Sequence, residues 1–179
     1  SYVETQNLLD ELPNEHQKLI AEVVPNQISV GGIQRVLQNL LNERVSIRDL
    51  PTILEGISEA CAFTRNVTQL TEHVRSRLAR QISEQNSTED NFIPLVTLSA
   101  EWEQIFSDSI LDQGEDKQLS MAPSQLQRFI GAVRTTLDEL ADIEDPPVVL
   151  TSPLARPFVR SIIERFRPAT SIMSQNELH

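Results

Sequence analysis

The sequence predicts a mainly α-helical chain with an α+β second part. An all-helical subdomain spans residues 1–91, and a small α/β subdomain with a short mixed sheet spans residues 92–179. Three observations predict this. First, Ile33, Val36, Leu37, Leu40 and Leu41 fall at i, i+3, i+4, i+7 and i+8. Ile47, Leu50, Ile53, Leu54 and Ile57 make a second stripe after a charged turn. Second, past residue 92 short β-rich runs alternate with helical stripes. Third, Val148 to Met173 reads strand, helix, strand, a crossover that gives a parallel pair and is expected to be right-handed.

Each element has a local justification. Tyr2, Val3, Leu8, Leu9 and Leu12 read as a helix already under way, broken by Pro13. Asn14 with Gln17 is expected to cap a second helix that runs to about Val24 and stops at Pro25. Ser29 is expected to cap the third helix. Ser46 with Asp49, in Ser46-Ile-Arg-Asp49, is expected to form a capping box for the fourth. Asn66 with Gln69 caps a fifth, carrying Val67, Leu70, Val74, Leu78 and Ile82 on one side. Gln85–Asn91 is polar and without periodicity, a linker.

In the second part, Ile93–Leu98 is a short strand that Pro94 confines to its first position or to an edge. Ser99 caps a helix with Trp102, Ile105, Phe106 and Ile110 inward. Gln113–Lys117 is a polar loop around Gly114, and Leu119–Met121 a brief strand. Pro123 opens a helix whose core stripe is Leu126, Phe129, Ile130, Val133, Leu137 and Leu140, ended before Pro146-Pro147. Val148–Leu150 is an apolar strand. Ser152-Pro153 opens the last helix, with Leu154, Phe158, Ile162 and Phe166 inward, and Ser171–Met173 is the last strand. No internal repeat or low-complexity tract is present.

At 179 residues the chain can hold one large or two small domains. Its 15 Lys+Arg against 26 Asp+Glu give a formal charge of −11. That argues against general nucleic-acid binding, which depends on neutralising phosphates, and against simple adhesion to anionic lipid. The acid is uneven. Glu101 to Asp145 holds eleven acidic residues and three basic ones, whereas Arg156, Arg160, Arg165 and Arg167 cluster around Glu164 alone. These runs read either as solvated helix faces or as a docking surface for a charged partner. The single cysteine, Cys61, rules out a disulfide within the chain. It continues the Ile47–Ile57 stripe and is expected to be a buried structural thiol. No apolar run is long enough to span a bilayer, and no signal peptide opens the chain. Both ends read as cuts within a longer protein.

Little in the sequence carries chemistry. His16, His73 and His179 are scattered, without the spacing of a zinc site. Gly31-Gly32 lacks the strand, Lys and Ser/Thr of a phosphate loop and reads as a helix start that packs closely against a neighbour. The carboxylates of Asp138–Asp145 lack the glycine and spacing of a calcium loop. No cofactor or metal is expected. Ser152 stands between a strand and a helix, where a nucleophile can be exposed. No G-x-S-x-G surrounds it, however, and capping before a proline explains it fully. On the helix after Asn66, Arg77 and Arg80 are neighbours of like charge that call for a carboxylate opposite.

Several blocks in order carry a resemblance. They are LDEL, EHQKLIAEVVP, GGIQRVLQNLLNERVSIRDLPTILEGISEA, LTEHVRSRLARQI, PPVVLTSPLARPFVRSIIERF and SIMSQNEL. Together they resemble the FHIPEP family of bacterial protein-export gates (flagellum, hypersensitive response and invasion protein export pore). The LQNLL-to-RDL block and the TSP-x-x-RP helix are the most specific. The MSQNELH ending resembles the flagellar branch more than the virulence injectisomes, although many members have Pro where this chain has His179.

The resemblance implies a bacterial inner-membrane protein whose transmembrane half is absent here, with this segment on the cytoplasmic side. It implies no enzyme activity. By resemblance, residues 1–91 match a helical subdomain that contributes to ring contacts, and residues 92–179 a terminal α/β subdomain facing the ATPase. The expected function is an assembly and docking module of the flagellar type III export gate, aiding ring formation and the handover of substrates. Expected partners are other copies of the chain, other export-apparatus proteins, the export ATPase complex, and chaperone–substrate complexes through the full-length protein. No nucleic acid is expected, and the membrane is reached only through the absent half. The family's chaperone groove lies mostly in parts missing here, so no chaperone site is placed on this chain. Candidate protomer-contact residues are Arg35, Arg44, Arg48, Asp49, Arg75 and Arg80, charged and expected on outer helix faces near turns. Capping and surface pairs worth ~0.2–1 kcal/mol account for any one of them equally well. The alternatives are the equivalent gate component of an injectisome, a freestanding helical adaptor, and a hydrolase using Ser152.

Overall fold

In a computed structural model, which describes residues 1–114 and 116–179, the chain divides into two compact units, Ser1–Leu78 and Ala79–His179. The division falls earlier than the Gln85–Asn91 linker. Helix Ala79–Gln85 belongs to the second unit because its Ser83 Oγ donates to the carbonyl of Glu177 at 2.6 Å and accepts from the His179 N–H at 3.0 Å.

The first unit is built from α1 (Tyr2–Asp10), α2 (Asn14–Val23), α3 (Val30–Asn42), α4 (Leu50–Ala60) and α5 (Val67–Arg77). Its core joins the two expected stripes: Ile33, Val36 and Leu40 of α3 with Ile53, Leu54 and Ile57 of α4 are fully buried, together with Leu70 and Val74 of α5. Asn39 Nδ2 donates to Thr71 Oγ1 at 3.1 Å, a polar pair between α3 and α5. Cys61 is buried and free. Gly32 permits close packing, since a Cβ there would lie 2.5 Å from Ile28 Cγ1. Gly31 is not under that constraint.

Two caps differ from expectation. Ser29 and Asn66 do cap α3 and α5, accepting from the N–H groups of Gly32 and Gln69. Gln17, however, caps nothing on its own helix. Its amide donates to the carbonyls of Leu9 and Leu12 and closes the end of α1, leaving Pro13 to start α2 through its fixed φ. The fourth helix begins three residues later than Ser46. Asp49 is its N-cap, accepting from the Thr52 N–H, and Pro51 sits in the first turn where its missing donor costs nothing. Ser46 Oγ instead accepts from the Arg48 N–H within the turn. The fifth stripe is carried by two helices, since α5 ends at Arg77 and α6 (Ala79–Gln85) resumes after Leu78.

The second unit adds β1 (Leu95–Thr97), α7 (Ala100–Ser109), β2 (Ile110–Gln113), β3 (Asp116–Leu119), α8 (Pro123–Glu139), β4 (Val148–Thr151), α9 (Arg156–Ile163) and β5 (Ile172–Ser174), ending in a 3-10 turn at Gln175–Glu177. Parallel and antiparallel strands both occur, in separate sheets. β1, β4 and β5 form a parallel sheet in that order, with Val96 opposite Val149 and Leu150 opposite Met173. β2 and β3 form an antiparallel hairpin, with Asp112 opposite Lys117. The hairpin replaces most of the expected polar loop and takes in Leu119 of the expected later strand. Glu115, within that loop, lies outside the described residues. β4 is central and buried at all four positions, as a strand covered on both faces must be.

The core of this unit gathers Phe106, Phe129, Val149, Val159, Ile163 and Ile172. The rings of Phe106 and Phe129 meet edge to face at 4.9 Å, and Trp102 meets Phe129 at 5.1 Å. Ser152 does not open the last helix. α9 starts at Arg156 behind a turn, with Pro157 in its first turn, and Leu154 points outward at 39% exposure.

Candidate interaction surface

Charge sorts into two kinds of place in the first unit. One is the turn between α3 and α4. It begins with a Schellman closure, in which the Arg44 N–H bonds the Leu41 carbonyl and the Val45 N–H the Leu40 carbonyl, both at 2.9 Å. The closure puts Arg44 at φ 61°, a left-handed position that favours glycine. Val45 is buried beneath it, so the turn is held rigidly while Arg44, Arg48 and Asp49 face solvent. Arg35 is exposed on α3, and Arg80 on α6 in the second unit.

Arg75 is different, and here the expectation of an outer-face residue is corrected. It is 3% exposed, its Nη1 3.7 Å from Glu43 Oε2, at the point where α5 packs on the end of α3. A guanidinium on a packed face is retained only when paired, because desolvating a lone charge is prohibitive.

The other charged place joins α4 and α5. Arg77 spans two acids, with Nη1 2.7 Å from Glu59 Oε1 and Nη2 3.0 Å from Glu55 Oε2. His73 Nε2 lies 3.2 Å from the same Glu59 oxygen. The Arg77 hydrogen bond, followed by that of His73, holds the Glu59 carboxyl below its ordinary range. The Glu59 bond in turn raises Arg77. The carboxylate that Arg77 needed opposite it is thus present twice. Phe63, 68% exposed, meets the His73 ring edge-on at 5.7 Å and adds an apolar element to this face. Glu55 and Glu59 stand one turn apart on α4, and the sequence signal for the group was Arg77, which called for a carboxylate opposite. Their cation is on another helix and could not be read from spacing.

The basic run of the second unit is largely structural. Arg156, 2% exposed, donates from Nη1 to the Ile172 carbonyl at 2.9 Å, and its Nε lies 3.8 Å from Glu177 Oε2, itself 1% exposed. Arg160 is buried, bonds the Pro168 carbonyl at 3.2 Å and lies 3.2 Å from Glu164. Ser152 accepts from the Ala155 N–H, its own N–H donates to Glu103 Oε1, and no imidazole reaches it among the described residues. No group of three or more His, Cys, Asp or Glu is placed to hold a metal among the described residues, and no helix there is long and apolar enough to cross a membrane.

Comparison with known proteins gives a consistent result. The FHIPEP family matches residues 1–179. The chain is 54% identical over 179 residues to the flagellar biosynthesis protein FlhA of Caulobacter vibrioides, covering 100% of this chain and 26% of that protein. To FlhA of Bacillus subtilis it is 35% identical over 175 residues, covering 98% and 26%. The crystal structure of the C-terminal domain of InvA matches with a TM-score of 0.90 at 30% identity, over 99% of this chain and 54% of that one. The Chlamydia pneumoniae CdsV and CdsO complex matches at 0.89 and 27% identity, over 100% and 52%. The nonameric EscV cytosolic domain from the type III secretion system matches at 0.80 and 27%, also over 100% and 52%. The chain spans about a quarter of the length of these curated relatives. Over all of its own residues, the chain belongs to the FHIPEP family.

Proposed function

We propose that this chain is a cytoplasmic assembly and docking module of a flagellar type III protein export gate, contributing to a homo-oligomeric ring and to the handover of export substrates. The observation that carries the proposal is the 54% identity, over all 179 residues, to a flagellar biosynthesis protein. The geometry fits a non-enzymatic role. Rigidly capped helices present charged side chains at fixed positions, and the one serine considered for catalysis is used as a turn cap. In this reading the remainder of the protein anchors it in the bacterial inner membrane. The partners are further copies of the chain, other export-apparatus proteins, the export ATPase complex and chaperone–substrate complexes. Two relatives support the self-association and apparatus contacts: EscV is described as a nonamer and CdsV in complex with CdsO.

Arg35, Arg44, Arg48 and Arg80 remain proposed ring-contact residues, with Asp49 as a contact that also caps α4. Arg75 would act only by supporting the α3 end. A second reading, the equivalent gate of a virulence injectisome, is favoured by the structural match to the type III secretion protein EscV. Charge reversal at Arg35, Arg44, Arg48 and Arg80 in the full-length protein tests the main proposal. Loss of ring assembly with an intact fold is the expected result, and assembly at the wild-type level would refute the assignment of these residues. Ser152→Ala is expected to leave secretion unchanged. Loss of secretion with the fold intact would support the hydrolase alternative.

A further inference from the structure

We propose that a cleft in the second unit docks a peptide segment of a partner protein that carries both apolar side chains and Lys or Arg. The cleft has a volume of about 630 Å³, within the range of specific ligand sites. It lies where the parallel sheet begins, lined by Pro94 ahead of β1, Val148 at the start of β4, and Ser171 ahead of β5.

Its recognition chemistry is restricted. On the side that follows α6, the polar side chains are already used. Asn86 Nδ2 donates to the Ile82 carbonyl at 2.8 Å, Ser87 Oγ to the Ser83 carbonyl at 2.7 Å, and Thr88 Oγ1 accepts from the Phe92 N–H at 3.3 Å. Arg167 is paired with Asp138, which offsets its charge. What remains is apolar surface, negative charge and the hydroxyls of Thr170 and Ser171. Leu140, Ile143, Pro146 and Pro147 line the cleft, with Ile143 53% exposed. Glu144 and Asp145 line it too, and Asp142 adjoins them. Among the described residues none of these three carboxylates has a cationic partner within 4.0 Å. An exposed isoleucine framed by prolines, whose φ is fixed, offers a pre-shaped apolar contact. The carboxylates beside it repel anionic lipid, nucleic acid and acidic peptides and attract cationic ones. The occupant is therefore a basic and apolar peptide segment. The inference stands on the chemistry of the cleft and does not depend on the export-gate reading.

The probe is a six-residue peptide alternating leucine and lysine, titrated into the 179-residue chain and followed by fluorescence anisotropy and backbone amide shifts. Leucine–glutamate and serine–lysine peptides of equal length serve as controls. The expected result is saturable binding that shifts amides of residues 85–88 and 140–147. Affinity should fall about tenfold in Ile143→Ser and about tenfold in the triple variant Asp142→Asn, Glu144→Gln, Asp145→Asn, and it should weaken with salt. Both sets of positions are exposed, so the fold survives the changes, and either variant alone is decisive. The proposal is overturned by equal binding of the serine–lysine peptide, by shifts confined to other residues, or by affinity that either variant leaves unchanged. Self-association of the chain that Ile143→Ser abolishes would put a second copy in the cleft and equally overturn it.

Discussion

Glu43 closes the C-terminus of α3, and its carboxylate lies 3.7 Å from the guanidinium of Arg75, which is 3% exposed on α5. The pair ties two helices that also share the Asn39–Thr71 hydrogen bond and an apolar core. Removing the arginine takes the cation away from a mostly buried carboxylate and leaves a void. Arg75→Ala is expected to destabilise the first unit by about 3 kcal/mol, the low end for breaking a buried pair. Urea unfolding of the variant measures this. A loss below about 0.5 kcal/mol, the range of ordinary surface substitutions, would return Arg75 to the exposed set.

Arg44 occupies a left-handed position with a side chain that carries a Cβ. Such a residue costs about 1–2 kcal/mol in strain. Arg44→Gly relieves the strain at some expense in unfolded-chain entropy, for an expected net gain of about 0.5–1 kcal/mol. The same variant removes a proposed ring contact. Stability should rise while assembly of the full-length protein falls, and thermal unfolding with particle imaging would read both.

The two adjacent glycines of α3 should respond in opposite directions. At Gly32 an added Cβ meets Ile28 Cγ1 at 2.5 Å, so Gly32→Ala is expected to cost about 1–3 kcal/mol through overpacking. At Gly31 the nearest atom is 3.7 Å away, and Gly31→Ala should gain up to about 1 kcal/mol in helix propensity. Pairing Gly32→Ala with Ile28→Ala should recover part of the loss in a double-mutant cycle.

Acid should loosen the α4–α5 face. The Arg77 and His73 hydrogen bonds depress the Glu59 carboxyl in the folded chain. Its contribution is therefore full above the ordinary carboxylate value and is lost as pH falls through the lower folded-state value. Glu59 is about half exposed, so the contribution is at most ~1 kcal/mol after screening. Denaturant unfolding of wild type and Glu59→Gln should differ at neutral pH and converge once the pH falls below the lowered folded-state value.

Where the sequence spoke clearly, the signal was local. Ser29, Asn66 and Ser99 each stand directly before an apolar stripe, and each caps the helix that follows. Ser46 and Asp49 compete within one turn. Pro51 is compatible with either start, so only the folded backbone decides between them. The β2–β3 hairpin was hidden because Gln113, Asp116 and Lys117 present no apolar face and read as loop. Arg75 and Arg156 looked like surface charges because their partners, Glu43 and Glu177, are distant in sequence. That Arg77 needed a carboxylate was legible, but which acids meet it was not, and neither was the cleft beside Ile143, since both are products of helices and loops brought together by the core.

One measurement tests the proposed function most directly. In the source bacterium, the gene is truncated just before Ser1, membrane insertion of the remaining protein is verified, and hook and filament proteins are assayed in the culture fluid. The expected result is loss of both proteins from the medium with insertion intact. Normal flagellar secretion would contradict the flagellar export-gate reading, and a selective loss of virulence effectors would transfer the chain to the injectisome.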